Sequence, residues 1–412
     1  MMIYIKGSES LTQLKEVVVV NKNISIGHHF VFIATVVFFW FSIYIYIPVF
    51  SVYLEKIGFS YFLIGIILGS YGITQILLRF PLGLLSDNNF KLRKSLLLQG
   101  FILAFISSLI LIFYSSFILI LIARLFAGIT ASMWVMATIL YSYYFGINQS
   151  TKSMAILQFV TVIIQFISMG ISGYLAEFFE YKSLFWISAI VSLIGLFFAY
   201  KIKMVQTQQN VITHQMLMKD RVKEVFKITG LKSITALSLL AHAILFITIF
   251  GFSPMLAIEL KIEEKSMIWL VSSFFIPHAI ASFILAICKI DLKYSKIIIA
   301  ISFGFTALLL FIVPLGKSFL LLCILHCGIG LGLGIIFPIL LSEVTRISKN
   351  EIKTSAMGFF QSFYALGIFL GPLIAGIIAN NYGLDWVFVF TGGLSIIGLI
   401  IAIIKYPKSA VY

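Results

Sequence analysis

Few side chains in this 412-residue chain can do chemistry, and most of those lie in apolar surroundings. Arg79 sits in TQILLRFPLG and Arg124 in ILIARLFAG. A guanidinium inside such a run costs roughly 2.5–3.5 kcal/mol or more in a bilayer, so it turns to water or to a partner. Arg124 lies about seven residues (roughly 10 Å) into its run, which leaves snorkelling to the headgroups as the alternative. His242, His278 and His326 are the other titratable groups at depth, and imidazole can carry protons near neutral pH. Each can equally be a hydrogen-bonded packing residue. Cys323, His326 and Cys327 follow an i, i+3, i+4 spacing and share a helix face. That spacing suits a soft metal ion, but a buried cysteine is also an ordinary small apolar residue. No carboxylate and no second Cys/His cluster completes a ligand set, so no metal is expected. No acid–base pair or nucleophile arrangement stands out, and no G-x-x-x-x-G-K-[ST] loop occurs. Neither catalytic residues nor a cofactor are expected. All fifteen Asp and Glu fall in tails, loops or helix ends. Coupling through a buried carboxylate and selectivity for cationic drugs are therefore disfavoured.

The elements that hold these residues are membrane helices. The chain is 61% hydrophobic and 11% charged, against roughly 25% charged in soluble domains. Apolar runs of about 20 residues recur, each long enough to cross a hydrocarbon core of about 30 Å. They predict an all-α polytopic protein with twelve spans at 30–54, 61–85, 95–114, 117–143, 154–176, 183–204, 232–258, 267–289, 294–314, 318–342, 355–379 and 384–404. The organisation reads as a tail (1–29), a six-helix bundle (30–204), a linker (205–231), a second six-helix bundle (232–404) and a tail (405–412). The first 27 residues hold charges and no apolar stretch long enough for a signal peptide. In the linker region, Met216, Leu217, Val222, Val225 and Phe226 either form one face of a membrane-surface helix or belong to a partly ordered linker. The three cysteines lie in apolar runs and make no disulfide framework.

The net charge of +14 is scattered through short loops, which excludes a nucleic-acid surface. With the N-terminus inside, inner segments hold 22 Lys and Arg and outer loops hold five. This bias predicts cytoplasmic termini and a cytoplasmic linker; the side rich in lysine and arginine is the basic face, its opposite the far face. The halves also repeat. Thr151, Met154, Gln158, Gly173, Ala176 and Phe185 recur 203 residues later as Thr354, Met357, Gln361, Gly376, Ala379 and Phe388. Pro48, Leu54, Ser60 and Gly128 recur 206 residues later as Pro254, Leu260, Ser266 and Gly334. Shared offsets across several regions point to two halves of one topology.

Between spans 2 and 3 lies RFPLGLLSDNNFKLRK, residues 79–94. Its Gly83, Asp87 and Lys91 match the loop motif G-x-x-x-D-[RK]-x-G-[RK]-[RK], with Arg93 and Lys94 restoring charge lost where Asn88, Phe90 and Leu92 depart from it. RLFAGITA, with Arg124, Gly128 and Ala131, matches the fourth-helix motif R-x-x-x-G-x-x-A. With the repeat, these residues resemble the prokaryotic secondary transporters of the major facilitator superfamily. The resemblance implies two bundles rocking about a central site in the plasma membrane. It implies that Asp87 faces the start of span 11 and holds the inner side closed, and that Arg124 lines the cavity. It places His242 and His326 on cavity-lining helices. Trp134, Thr138, Tyr141, Tyr44, Tyr46 and Tyr53 join them as lining candidates, as does the repeat pair Gln158 and Gln361. Gly367, Gly371, Pro372 and Gly376 give span 11 a G-x-x-x-G-P pattern that resembles the family's glycine–proline motif. The family's exporters carry that motif on span 5, where Gly170 to Gly173 lacks the Gly-Pro pair, so close helix packing is the expected role.

The implied partners are the bilayer, a small neutral or anionic solute and, through the histidines, protons; the chain is expected to act as a monomer. A multidrug or metal exporter of the same fold, an intramembrane His/Cys enzyme and a transporter-derived receptor are the alternatives. The charge bias gives a direct test of orientation. A cysteine at Asn210 is expected to resist impermeant thiol reagents in intact cells, and its labelling from outside would overturn both the orientation and the span count.

Overall fold

Each apolar run folds into helix, because a backbone in lipid must satisfy its own hydrogen bonds. The computed structural model describes residues 24–88, 90–145, 150–205, 218–287, 294–348 and 352–406. Among these residues the ordered elements are all helical. Eleven helical runs are long and apolar enough to cross a membrane. One of them, inside the helix Ser150–Tyr200, holds two crossings that meet at Glu180 (φ 65°, ψ 162°). A single residue in a backbone region rare for side chains thus joins spans 5 and 6. The total is twelve. Large side chains such as Phe113, Leu308, Ile403 and Ile404 point outward from the bundle, as a lipid-facing surface requires.

Span 1 comprises Ile26–Tyr44 and Ile47–Lys56, span 2 Tyr61–Asn88, span 3 Phe90–Phe113, and span 4 Phe117–Ser132 with Trp134–Ser142. Span 7 comprises Leu231–Ile247, a π segment Thr248–Phe252 and Ser253–Glu259. Spans 8 to 12 are Met267–Ile287, Ser295–Ile312, Phe319–Ile347, Lys353–Tyr382 and Leu384–Lys405. The linker helix Met218–Lys227 buries Val225 and sets Phe226 edge-on against Phe359 of span 11, 5.1 Å between centroids. Met216 and Leu217 lie outside the described residues.

Spans 1 and 7 break at equivalent places. Pro48 and Pro254, 206 residues apart, each open the second piece of their span. Proline lacks the N–H that would continue the preceding turn and crowds the carbonyl four residues back. The irregular backbone leaves carbonyls free. Ser51 Oγ donates to the Gly251 carbonyl at 2.8 Å and ties the two halves together.

From the far face to mid-span, glycines of span 2 bring the halves into backbone contact. A Cβ on Gly65 of span 2 would lie 2.5 Å from the Pro372 carbonyl oxygen and 2.9 Å from the Gly376 Cα. Only glycines let spans 2 and 11 touch backbone to backbone. Gly173, the repeat partner of Gly376, stands the same way between span 5 and the start of span 8, where a Cβ would strike the Glu264 carbonyl. Toward the basic face, Phe80 still reaches Gly358. Within the first half, Arg93 Nη1 donates to the Tyr143 hydroxyl (2.7 Å) and Lys94 Nζ to the Ile202 carbonyl (2.8 Å), binding span 3 to the ends of spans 4 and 6.

Span 10 runs five residues beyond its expected end at 342. Glu343 is therefore fully buried, with Arg346 Nε donating to its Oε2 at 3.0 Å. An acid assigned to a helix end on sequence sits inside the bundle instead, with its charge met one turn on.

The glycine contact yields a stability prediction. Gly376→Ala is expected to cost about 1–3 kcal/mol through overpacking against Tyr61 and Gly65. A lowered Tm of the detergent-solubilised protein is the readout.

Candidate functional site

The central site starts from Arg124. The side chain is 1% exposed. Its Nη1 faces the Tyr46 hydroxyl at 3.4 Å, and its Cζ lies 4.8 Å from the Tyr71 ring centre and 5.3 Å from that of Phe50. Nε has no partner. Among the described residues no carboxylate pairs with Arg124; a phenol and two ring faces meet its guanidinium. Local sequence explains the placement. Tyr46 sits at the break of span 1 ahead of Pro48. Gly128, one turn past Arg124, brings span 4 against the Tyr71 carbonyl, where any Cβ would collide. Arg124, Tyr71, Tyr44 and Phe250 border a small cavity between the halves, with room for about 10 Å³ of water centres, enough for a single water. In this conformation the centre is closed.

A second arginine sits nearer the basic face. Arg79, 4% exposed, donates from Nη1 to the Tyr364 hydroxyl of span 11 at 2.6 Å. Its Cζ lies 5.3 Å from that ring, and its Nε also lacks a partner. His242 of span 7 stacks on the other part of this assembly. Its ring lies parallel to Tyr364 (3.8 Å, 4°), and Nδ1 donates to the Ser238 carbonyl at 2.8 Å. Tyr71 abuts Arg124 and lies on the same span as Arg79, and Tyr44 packs against Phe250 of span 7 at 5.5 Å. Gln75 is buried and donates to the Tyr71 carbonyl at 2.8 Å.

The remaining sequence candidates are spread out. His326 is fully buried; Nδ1 donates to the Leu322 carbonyl (2.8 Å) and Nε2 accepts from Ser253 (2.7 Å), which joins spans 10 and 7. Cys323 is half-buried and Cys327 exposed, so they do not converge with it. Among the described residues no three His, Cys, Asp or Glu side chains gather. His278 stacks on Phe274 at 5.7 Å. Trp134 packs on Trp40 at 5.0 Å, and Thr138 donates to its own helix at the Val135 carbonyl. Gln361 buries Oε1 without a partner. Gly367 and Gly371 press on Leu239 and Ala243 of span 7. Gly83, Asp87, Lys91 and Gln158 lie outside the described side chains.

One feature escaped the sequence reading, which counted Lys56 and Lys265 only as loop charges. At the far face, Lys56 and Tyr181 of the first half both bond to Glu264 of the second. Lys265 pairs with Glu177 at 3.2 Å and donates its backbone N–H to the same carboxylate at 2.9 Å. Lys56, Glu177, Tyr181 and Glu264 line a vestibule of about 480 Å³ together with Tyr53 and Glu180. Opposite charges in the loops after spans 1, 5 and 7 were the available signal.

The sequence profile of the Major Facilitator Superfamily matches residues 32–233 and 234–411. An uncharacterized transporter of Buchnera aphidicola subsp. Baizongia pistaciae is 26% identical over 94% of this chain and 98% of its own. An uncharacterized MFS-type transporter of Methanocaldococcus jannaschii is 21% identical over 88% of this chain and 92% of its own. Among solved structures, the nucleoside transporter NupG is similar with a TM-score of 0.71 at 15% identity, over 91% of this chain and 98% of that one. The human organic anion transporter MFSD10 gives 0.66 at 14%, over 90% and 98%.

The far-face pairs are partly exposed, so each contributes only about 0–1 kcal/mol. Glu264→Gln is expected to raise the open far-face population by up to about fivefold, corresponding to about 1 kcal/mol. Thiol labelling of a Ser51→Cys probe measures it.

Proposed function

The chain belongs to the Major Facilitator Superfamily, and from that premise we propose that it carries a small neutral or anionic solute by alternating access. The observation that carries the reading is Arg124, buried at the centre without a counter-charge among the described residues. A guanidinium in a low-dielectric bundle is costly. Its cost falls if another conformation admits water or an anion to it. A cationic solute would have to bind beside that charge with no carboxylate to offset it.

The closed centre and the contacts at the far face support one end of such a cycle. The halves touch there through glycine backbones and partly exposed ion pairs. The breaks in spans 1 and 7 supply the flexible backbone on which the site is hung, and π segments recur at functional positions in helices. In this reading both termini lie in the cytoplasm, the protein resides in the plasma membrane, and the proton-coupling histidine is His242. Its ring lies against the phenol that holds Arg79, whereas His326 has both nitrogens engaged in joining two spans.

Flux in proteoliposomes over a solute panel tests the reading. Arg124→Gln is expected to cut uptake of the best solute at least tenfold, with Arg124→Lys intermediate because lysine keeps the charge but loses the planar fork. If lipophilic cations are the best solutes and Arg124→Ala leaves their transport intact, the reading is wrong.

A further inference from the structure

We propose that Arg79 is a second anion-binding group, and that the transported solute is an organic dianion held by Arg124 at one end and Arg79 at the other. The inference rests on the reading of the central cavity as the solute site. It starts from a shortage of acceptors. Guanidinium offers five N–H donors. Arg124 places one toward a hydroxyl at 3.4 Å, and Arg79 places one on a hydroxyl at 2.6 Å. Both leave a buried Nε unpartnered, and neither meets a carboxylate among the described residues. A purely structural buried arginine is expected to be paired. These two are held by phenols and ring faces, neutral groups that a carboxylate can displace because charge-assisted, bidentate bonds to guanidinium are stronger.

The two arginines stand on helices that touch. Arg124 of span 4 abuts Tyr71, and Tyr71 lies about two turns before Arg79 on span 2. Gln75, between them in sequence, is buried and turns its amide to the Tyr71 carbonyl. Uptake as a function of dicarboxylate length reads the span between the two guanidinium groups.

Arg79 also makes the second charge a trigger. Its hydroxyl partner, Tyr364, belongs to the other half of the molecule. A carboxylate that takes Arg79 releases Tyr364 and the His242 ring stacked on it, loosening spans 2 and 11 from each other. A monoanion held by Arg124 alone leaves that bond in place. Only a solute that interacts differently with the two conformations can shift them, and the second acid group supplies the difference.

The test is uptake by the full chain in proteoliposomes at pH 7. The probes are the dicarboxylates from malonate to suberate, each with the monocarboxylate of equal length. At least one dicarboxylate is expected to enter ten times faster than its matched monocarboxylate. Arg79→Gln should bring that ratio close to one, mainly through a loss of dicarboxylate uptake. Tyr364→Phe should lower the ratio by raising monocarboxylate uptake, since the bond that only a dicarboxylate releases is already gone. If Arg79→Gln fails to fold, Arg79→Lys serves, and a drop in the ratio is again expected. The inference is overturned if no dicarboxylate is carried, if none outpaces its match, or if the preference survives at Arg79 variants with unchanged Tm. Those results leave the cavity reading standing when Arg124→Gln abolishes uptake. If Arg124→Gln changes nothing for any solute, the cavity reading itself has failed.

Discussion

A buried guanidinium with no counter-charge among the described residues organises the middle of this molecule. In a medium where an isolated charge costs several kcal/mol, Arg124 is held by two aromatic faces and one hydroxyl. Holding it there demands particular backbone. Gly128 lets span 4 approach span 2 closely enough for the Tyr71 ring to meet the cation. Pro48 ends the first piece of span 1 and leaves Tyr46 at the break with its hydroxyl turned to the guanidinium. Neither residue does chemistry, yet each fixes where the charge sits.

Small and polar residues then decide how the halves meet. Lipid gives no hydrophobic reason for apolar helices to prefer each other, so association relies on close packing and hydrogen bonds. Gly65 against Gly376 and Gly173 against Glu264 supply the packing; Ser51 to Gly251 and the Lys–Glu pairs supply the polar contacts. Ring contacts also cross between the halves, Tyr71 against Phe246 at 6.0 Å and Tyr44 against Phe250 at 5.5 Å. The interior of each half adds large buried side chains such as Phe101, Phe185, Phe303 and Phe388.

Much of the fold was legible because bilayer thickness and backbone satisfaction leave one solution for a run of twenty apolar residues. The repeat was legible too, and Pro48 with Pro254 and Gly173 with Gly376 prove to hold equivalent positions. Arg124 stood out because charge is rare at depth. Tyr364 did not: in a chain with 16% aromatics, a phenol bonded to arginine looks like any lipid-facing ring. The far-face pairs were hidden for another reason. Lys56 and Glu264 are 208 residues apart and meet only when the halves dock. Glu343 was obscured by a helix end, since hydropathy falls before the helix stops.

The same contrast separates residues that hold the fold from residues that can change partners. His326 has a donor and an acceptor satisfied on two spans. Moving it leaves a buried polar group unpaired, which is expensive. Arg79 and Arg124 carry full charge but use only part of their donor capacity, on neutral groups. A stronger acceptor gains more at these arginines than the phenols lose, because the phenols can turn to water or to each other. Partial satisfaction is therefore what makes the centre of the molecule responsive, and the well-paired groups around it are what keep that response from unfolding the bundle.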